Sequence, residues 1–186
     1  MSKQRSAPGE LERVRRFVNT LQVRGGSDLL SDTAAMGRWF ADEGLVSGDV
    51  GATGSDLARA IELREALRAT LAAHNGGGRV PADASRVLDR AARRARLRLQ
   101  FDDDGGASIV PEAAGIDGAL GRLLAIVHDS IAQGTWTRLK VCRDDECEWA
   151  FYDHTKNHSG AWCSMARCGN RAKARAYRGR RTAPAT

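Results

Sequence analysis

The four cysteines of this 186-residue chain fall close together near one end, as Cys142-x4-Cys147-x15-Cys163-x4-Cys168. Two close pairs across a short loop is a spacing that lets four thiolates converge on one Zn²⁺ ion. Four sulfurs complete a tetrahedron and leave no position for water, so the expected role of the single zinc is structural rather than catalytic. The x4 interval is longer than the common x2 knuckle. His154 or His158 could replace one cysteine, although four thiolates suffice without them. A module of this size has too little apolar surface to fold unaided. Metal binding would then supply its folding free energy, on the order of 10 kcal/mol, and the metal-free module is expected to unfold.

Charge is distributed unevenly. The net charge is +6, but residues 154–186 hold eight Lys/Arg and no Asp or Glu, so residues 1–153 carry a net charge of −2. That asymmetry suits a terminal segment that meets a polyanion. On a helix, Arg171, Arg175 and Arg178 would share one face, flanked by Lys173 and Arg180, with Ala172, Ala174 and Ala176 keeping the backbone slim. Arginine can hold phosphate or read guanine in the major groove. The candidate nucleic-acid contacts are therefore Asn170, Arg171, Lys173, Arg175, Tyr177, Arg178, Arg180 and Arg181. Within them, Arg180 and Arg181 suit phosphates, Arg171, Arg175 and Arg178 suit base edges, and Asn170 either reads a base or braces the knuckle. The run lacks any acidic partner. Half of the ten aromatic residues lie beyond Cys142; Trp149, Phe151 and Trp162 read as a mini-core, and Tyr177, set among arginines, as a base contact.

The elements that must position these groups are mainly helical. Leu11, Val14, Val18 and Leu21 mark a helix over about 9–23. A second starts with Ser31 or Asp32 as N-cap and carries Met36, Trp39 and Phe40. Ser55 caps a third over 56–74, with Leu57, Ile61, Leu67 and Leu71 inward and Asn75-Gly-Gly-Gly as its stop. Pro81 opens a fourth, to about Arg94. Segments 96–102 and 107–111 alternate around Asp102-Asp-Asp-Gly-Gly and read as a β-hairpin. A last long helix covers 117–133, with Leu120, Leu123, Leu124, Val127 and Ile131 inward. Arg138–Cys142 and Glu148–Tyr152 read as strands entering and leaving the first knuckle, and a helix runs from about Ser164 to Tyr177. The expected fold class is α+β, mainly α. It has a helical N-terminal domain (1–135) with a small hairpin, then a four-cysteine zinc-knuckle module ending in a basic helix (136–182) and a disordered tail (183–186).

Cys142-Arg-x3-Cys147-x-Trp149-x-Phe151-x-Asp153, Lys156-Asn157, Trp162-Cys163-Ser164-Met165 and Cys168-Gly169-Asn170-Arg171 resemble the CGNR zinc finger, naming tetrapeptide included. The N-terminal half resembles that finger's usual companion, the ABATE domain, through Phe17-Val18-Asn19-Thr20, Trp39 and Leu63-Arg64-Glu65-Ala66-Leu67-Arg68. The resemblance implies a bacterial, especially actinobacterial, protein and a stress-related transcription regulator. His154 departs from the pattern, where a small hydroxyl residue is expected, without affecting a ligand.

These readings converge on a zinc-dependent regulator that binds double-stranded DNA. RNA binding and docking of an acidic protein partner are the alternatives. The N-terminal domain would dimerise or sense a small effector, in a cleft near Trp39, Phe40 or Leu67. No enzyme is expected: His74 and His128 come with no recognisable nucleophile, and Asn75-Gly-Gly-Gly lacks the strand, Lys and Ser/Thr of a P-loop. The first ten residues lack the apolar core of a secretory signal, and no apolar run approaches the roughly 20 residues that span a bilayer. A cytoplasmic, nucleoid-associated location follows, where thiols stay reduced and metal ligation is favoured over disulfides.

Overall fold

The computed structural model describes residues 6–48 and 51–182. Helix α1 (Leu11–Val18) buries Leu11, Val14, Phe17 and Val18 along one face. It ends sooner than the apolar spacing predicts. Gly26 takes a left-handed φ of +66°, and the Arg24-Gly-Gly turn instead folds a short hairpin, β1 (Leu21–Gln22) with β2 (Ser27–Asp28). Leu21 therefore lies on a strand. Helix α2 (Thr33–Asp42) is capped by Asp32, whose carboxylate accepts from the Ala35 amide at 2.8 Å.

Helix α3 (Gly54–Gly76) is the spine of the molecule. Its cap is Thr53 rather than Ser55: Thr53 and Asp56 form a capping box, with the Asp56 carboxylate accepting from the Thr53 amide at 2.7 Å. Gly77, at φ +66°, ends it within the expected glycine run. Its buried leucines are Leu63, Leu67 and Leu71, while Leu57 and Ile61 are only partly covered. Helix α4 (Ala82–Ala95) follows Pro81, and hairpin β3 (Leu97–Phe101) with β4 (Ala107–Pro111) pairs in the expected segments. Helix α5 (Gly115–Ala132) buries Leu120, Leu123 and Leu124; Ile131, expected inward, is exposed. Gly121 lets the hairpin seat on α5, because a Cβ there would stand 2.6 Å from Ala95 and 2.8 Å from Pro111.

After a 3₁₀ turn at Trp136–Arg138 come strands β5 (Leu139–Val141) and β6 (Ala150–Tyr152), paired antiparallel. A π-helical turn (Met165–Gly169) then leads into helix α6 (Asn170–Thr182), which runs five residues beyond the expected end at Tyr177. The fold is α+β and mainly helical, as expected. Its principal core is continuous across the two segments: Leu139, Val141, Ala150 and Tyr152 join Phe17, Leu67, Leu71 and Leu123 in one cluster. A second cluster holds Cys142, Phe151, Cys163 and Cys168, with Cys147, Trp149 and Trp162 against it.

Candidate metal centre and the helix beyond it

Strand β5 delivers Cys142, whose amide donates to the Trp149 carbonyl at 3.0 Å and so closes the first knuckle. Within that knuckle the Cys147 and Glu148 amides both donate to the Asp144 carbonyl, at 2.7 and 3.0 Å, around a left-handed Glu148 (φ +45°). The second knuckle is tied to the first by the Arg143 amide, which donates to Ala161 at 3.1 Å. Ser164 then caps the π turn that carries Cys168. All four sulfurs lie within 4.8 Å of one another, with Cys147–Cys163 and Cys163–Cys168 each at 3.6 Å. A zinc tetrahedron with metal–sulfur bonds of about 2.3 Å has sulfur–sulfur edges of about 3.8 Å. The cysteines are free, and their separations are far longer than the roughly 2.05 Å of a disulfide.

The donor set fits a divalent cation. Cys147 is driven down to about 2, chiefly by its hydrogen bond with Cys142. Cys163 is pushed up, first by its own bond with Cys142, and burial pushes Cys168 up to about 12. Four crowded sulfurs cannot all ionise unaided. A bound Zn²⁺ would supply the positive charge that lets them do so, and would link the two knuckles. No histidine joins the cluster among the described residues: His154 bonds the Ser6 carbonyl at 3.0 Å, and His158 is exposed.

Every residue of the Cys168–Arg171 tetrapeptide has a definable task. Cys168 is a ligand. Gly169 is buried where a Cβ would stand 2.4 Å from the Met165 sulfur, so no side chain fits without displacing it. The Asn170 side chain donates to the Ala166 carbonyl at 3.2 Å and braces the π turn. Arg171 donates to the Cys168 sulfur at 3.1 Å and to Asp144 at 2.6 Å.

Asp144 is the acidic partner that the basic run lacks within its own segment. Its carboxylate is fully buried and accepts from Arg171 on one oxygen and from Arg175, at 2.8 Å, on the other. Arg24 of the β1–β2 turn stands 3.8 Å away. Burial alone would raise the Asp144 pKa, but hydrogen bonds from Arg175 and Arg171 overcome it and hold the group at about 2. Two arginines expected at base edges are thus turned onto the first knuckle. Lys173, Tyr177 and Arg178 are exposed; Arg180 and Arg181 lie on the last turn of α6, with side chains outside the described residues, as is the tail 183–186.

Polar residues of the helical half, not singled out from sequence as site residues, fasten the metal module in place. Asn19 exchanges two hydrogen bonds with the Ala150 backbone, at 2.8 and 2.9 Å. Buried Arg68 bridges the Val18 and Glu148 carbonyls at 2.8 and 3.0 Å. Asn75 donates to Val141 at 2.6 Å and to Ala161 at 2.9 Å, and its own carbonyl accepts from Arg143. His74 meets the Leu139 carbonyl at 2.9 Å and stands edge-on to Trp136. Buried Arg64 holds Asp28 at 2.7 Å and Thr20 at 3.2 Å. The available signal was polar residues on the buried side of α3, where Arg64 and Arg68 interrupt the leucine stripe.

The expected aromatic mini-core forms, with Trp149, Phe151 and Trp162 around the cysteines, whereas Tyr152 faces the principal core. Phe40 and Leu67 are fully buried and Trp39 packs on Phe17 with ring centroids 5.5 Å apart, so these residues are core. A cleft lies elsewhere, between α3, α4 and α5, lined by Arg59, Glu62, Arg90, Arg94 and Asp117.

Among the described residues, no helix is long and apolar enough to cross a membrane. No curated protein matches the chain. Residues 138–181 match the CGNR zinc finger, which covers both knuckles and nearly all of α6. Residues 12–134 match ABATE, described as "Putative stress-induced transcription regulator". The second match extends over most of the chain and contains the residues that hold the finger; this protein therefore belongs to the ABATE family, with a CGNR zinc finger as its C-terminal part.

Proposed function

We propose that the chain is a DNA-binding transcription regulator whose zinc-closed module (136–182) aims α6 at duplex DNA, while residues 1–135 carry signal sensing or self-association. One observation carries this reading: α6 is cationic, has no acid, and is clamped along one face to Asp144, leaving its other face outward. By helical spacing, positions 171, 175 and 178 share the clamped face, and 173 and 177, followed by 180 and 181, the opposite one. Lys173, Tyr177, Arg180 and Arg181 are then the leading nucleic-acid contacts, and Arg178 lies on the clamped side. Arg171, Arg175 and Asn170 become positioning residues. A helix with alanines between its cations fits the major groove.

The test is fluorescence anisotropy of zinc-loaded protein on labelled duplex DNA. Affinity should fall steeply with salt and vanish on chelation. Each of Lys173→Ala and Arg181→Ala should weaken binding and reduce the salt slope by about one. Unchanged affinity in both variants would remove the outward face from the account. Structured RNA displacing the duplex would overturn the choice of DNA.

A further inference from the structure

The β3–β4 hairpin leaves one of its edges open. β4 lies against α5, and the outer row of its backbone includes Pro111, which has no N–H to offer. Among the described residues, β3 has no second neighbour in its two-stranded sheet. The Asp102 amide donates to Gly106 at 3.0 Å and the Glu112 amide to Arg96 at 3.4 Å. Because antiparallel ladders alternate, Arg98 and Gln100 also direct their backbone groups to β4, whereas Leu97, Leu99 and Phe101 direct theirs outward. These three share a side-chain face as well. Leu97 packs against the principal core, but Leu99 is 51% and Phe101 70% exposed. The strand has no Pro, and its single charge, Arg98, lies on the other face, paired with Glu112 at 3.0 Å, so neither device blocks the edge.

The sequence around β3 is its own complement. Two β3 strands paired antiparallel about Leu99 set Leu99 against Leu99 of the second copy, Phe101 against Leu97, and Gln100 against Arg98. The same register sets Arg96 of each copy against Asp102 of the other, and the basic last turn of α4, with Arg93 and Arg94, on the side of the acidic 102–104 turn. The outward backbone groups of 97, 99 and 101 then face one another, as an antiparallel ladder requires. A shift by one residue turns them away, and a shift by two moves Arg96 off Asp102. Phe101, which overhangs its own body, arrives beside Leu97 of the second copy.

We propose that the chain forms a two-fold dimer through β3, joining two hairpins into a four-stranded sheet in the order β4–β3–β3–β4. The interface is isologous, so each apolar and each charged contact occurs twice.

Sedimentation velocity of the full-length, zinc-loaded protein at low ionic strength tests this, since the charged contacts lie at the rim. Twice the chain mass is expected. Leu99→Lys/Phe101→Ser should give a monomer that unfolds like the wild-type chain diluted below its association, because both side chains are exposed within one copy. Two charge reversals, Arg94→Glu/Arg96→Glu and Asp103→Lys/Asp104→Lys, should each weaken self-association about tenfold or more. Mixed one to one, they should recover a dimer, because the reversed runs again meet opposite charges. A monomeric wild type, a dimer indifferent to these changes, or a mixture that fails to recover would each overturn the proposal.

Discussion

At the scale of single residues, the tetrapeptide Cys168-Gly169-Asn170-Arg171 works on the metal side of the molecule, as ligand, packing space, brace and thiolate partner. Asp144 then links that side to α6. Asp144→Asn should lower stability at neutral pH by about 1–2 kcal/mol, because Arg171 and Arg175 are partly exposed and can regain water. Thermal unfolding of the zinc-loaded variant measures this; an unchanged transition would show that the arginines hold α6 without their carboxylate. His74 provides a pH dependence away from the cysteines. Burial lowers its pKa, with the nearby Lys140 charge acting the same way against the bond to Leu139. The unfolded chain takes up a proton near pH 6.5 that the folded chain refuses, so stability should fall as pH drops below about 6.5. His74→Gln should remove that part of the pH dependence in unfolding measured across pH 8 to 5.5.

At the scale of elements, the metal module divides in two. β5 and β6 put Leu139, Val141, Ala150 and Tyr152 into the principal core, with Phe151 turned to the cysteine cluster, on which the knuckles, the π turn and α6 rest. Chelation should therefore melt less than the whole module. Hydrogen exchange is expected to accelerate across 142–149 and 162–182 while Leu139–Val141 and Ala150–Tyr152 stay protected. Loss of protection in those strands would mean that the metal holds the shared core too. Sequence reveals the elements whose signals are local: Pro81 before α4, the acidic turn between β3 and β4, and the glycines after α3. It misleads where two local signals compete. Leu21 continues the helical spacing of α1, but Arg24-Gly-Gly closes a hairpin and the turn prevails. The metal ligands are legible because their spacing is itself the signal. The Asp144 clamp is not, since its partners lie 27 and 31 residues further along and one buried aspartate in Arg143-Asp-Asp-Glu looks like its exposed neighbours.

At the scale of the whole molecule, two family segments share one body. The resemblance-bearing residues Asn19, Arg64 and Arg68 now have physical explanations: Asn19 and Arg68 bond the finger's backbone, and Arg64 secures Thr20 and Asp28 next to them. A rigid joint of this kind fixes α6 relative to the β3 edge, so a dimer through β3 would hold two basic helices at a set distance and related by two-fold symmetry. DNA half-sites of matching symmetry would follow from that geometry. The joint also predicts how the chain responds to cutting. Removing residues 136–186 would uncover the seats of Leu139, Val141, Ala150 and Tyr152, take the Ala150 backbone from Asn19, and leave Arg68 with Val18 but without Glu148. The uncovered polar groups regain water, but each large apolar side chain whose cover is lost costs up to about 1.5–3 kcal/mol. Against a total stability of about 5–15 kcal/mol, the 1–135 fragment should fail to fold cooperatively. A sharp, reversible thermal transition in that fragment would show that the helical half is self-sufficient. The milder Asn19→Ala change, which removes one bidentate bond, should keep the fold but lower the melting temperature of the full chain by several degrees.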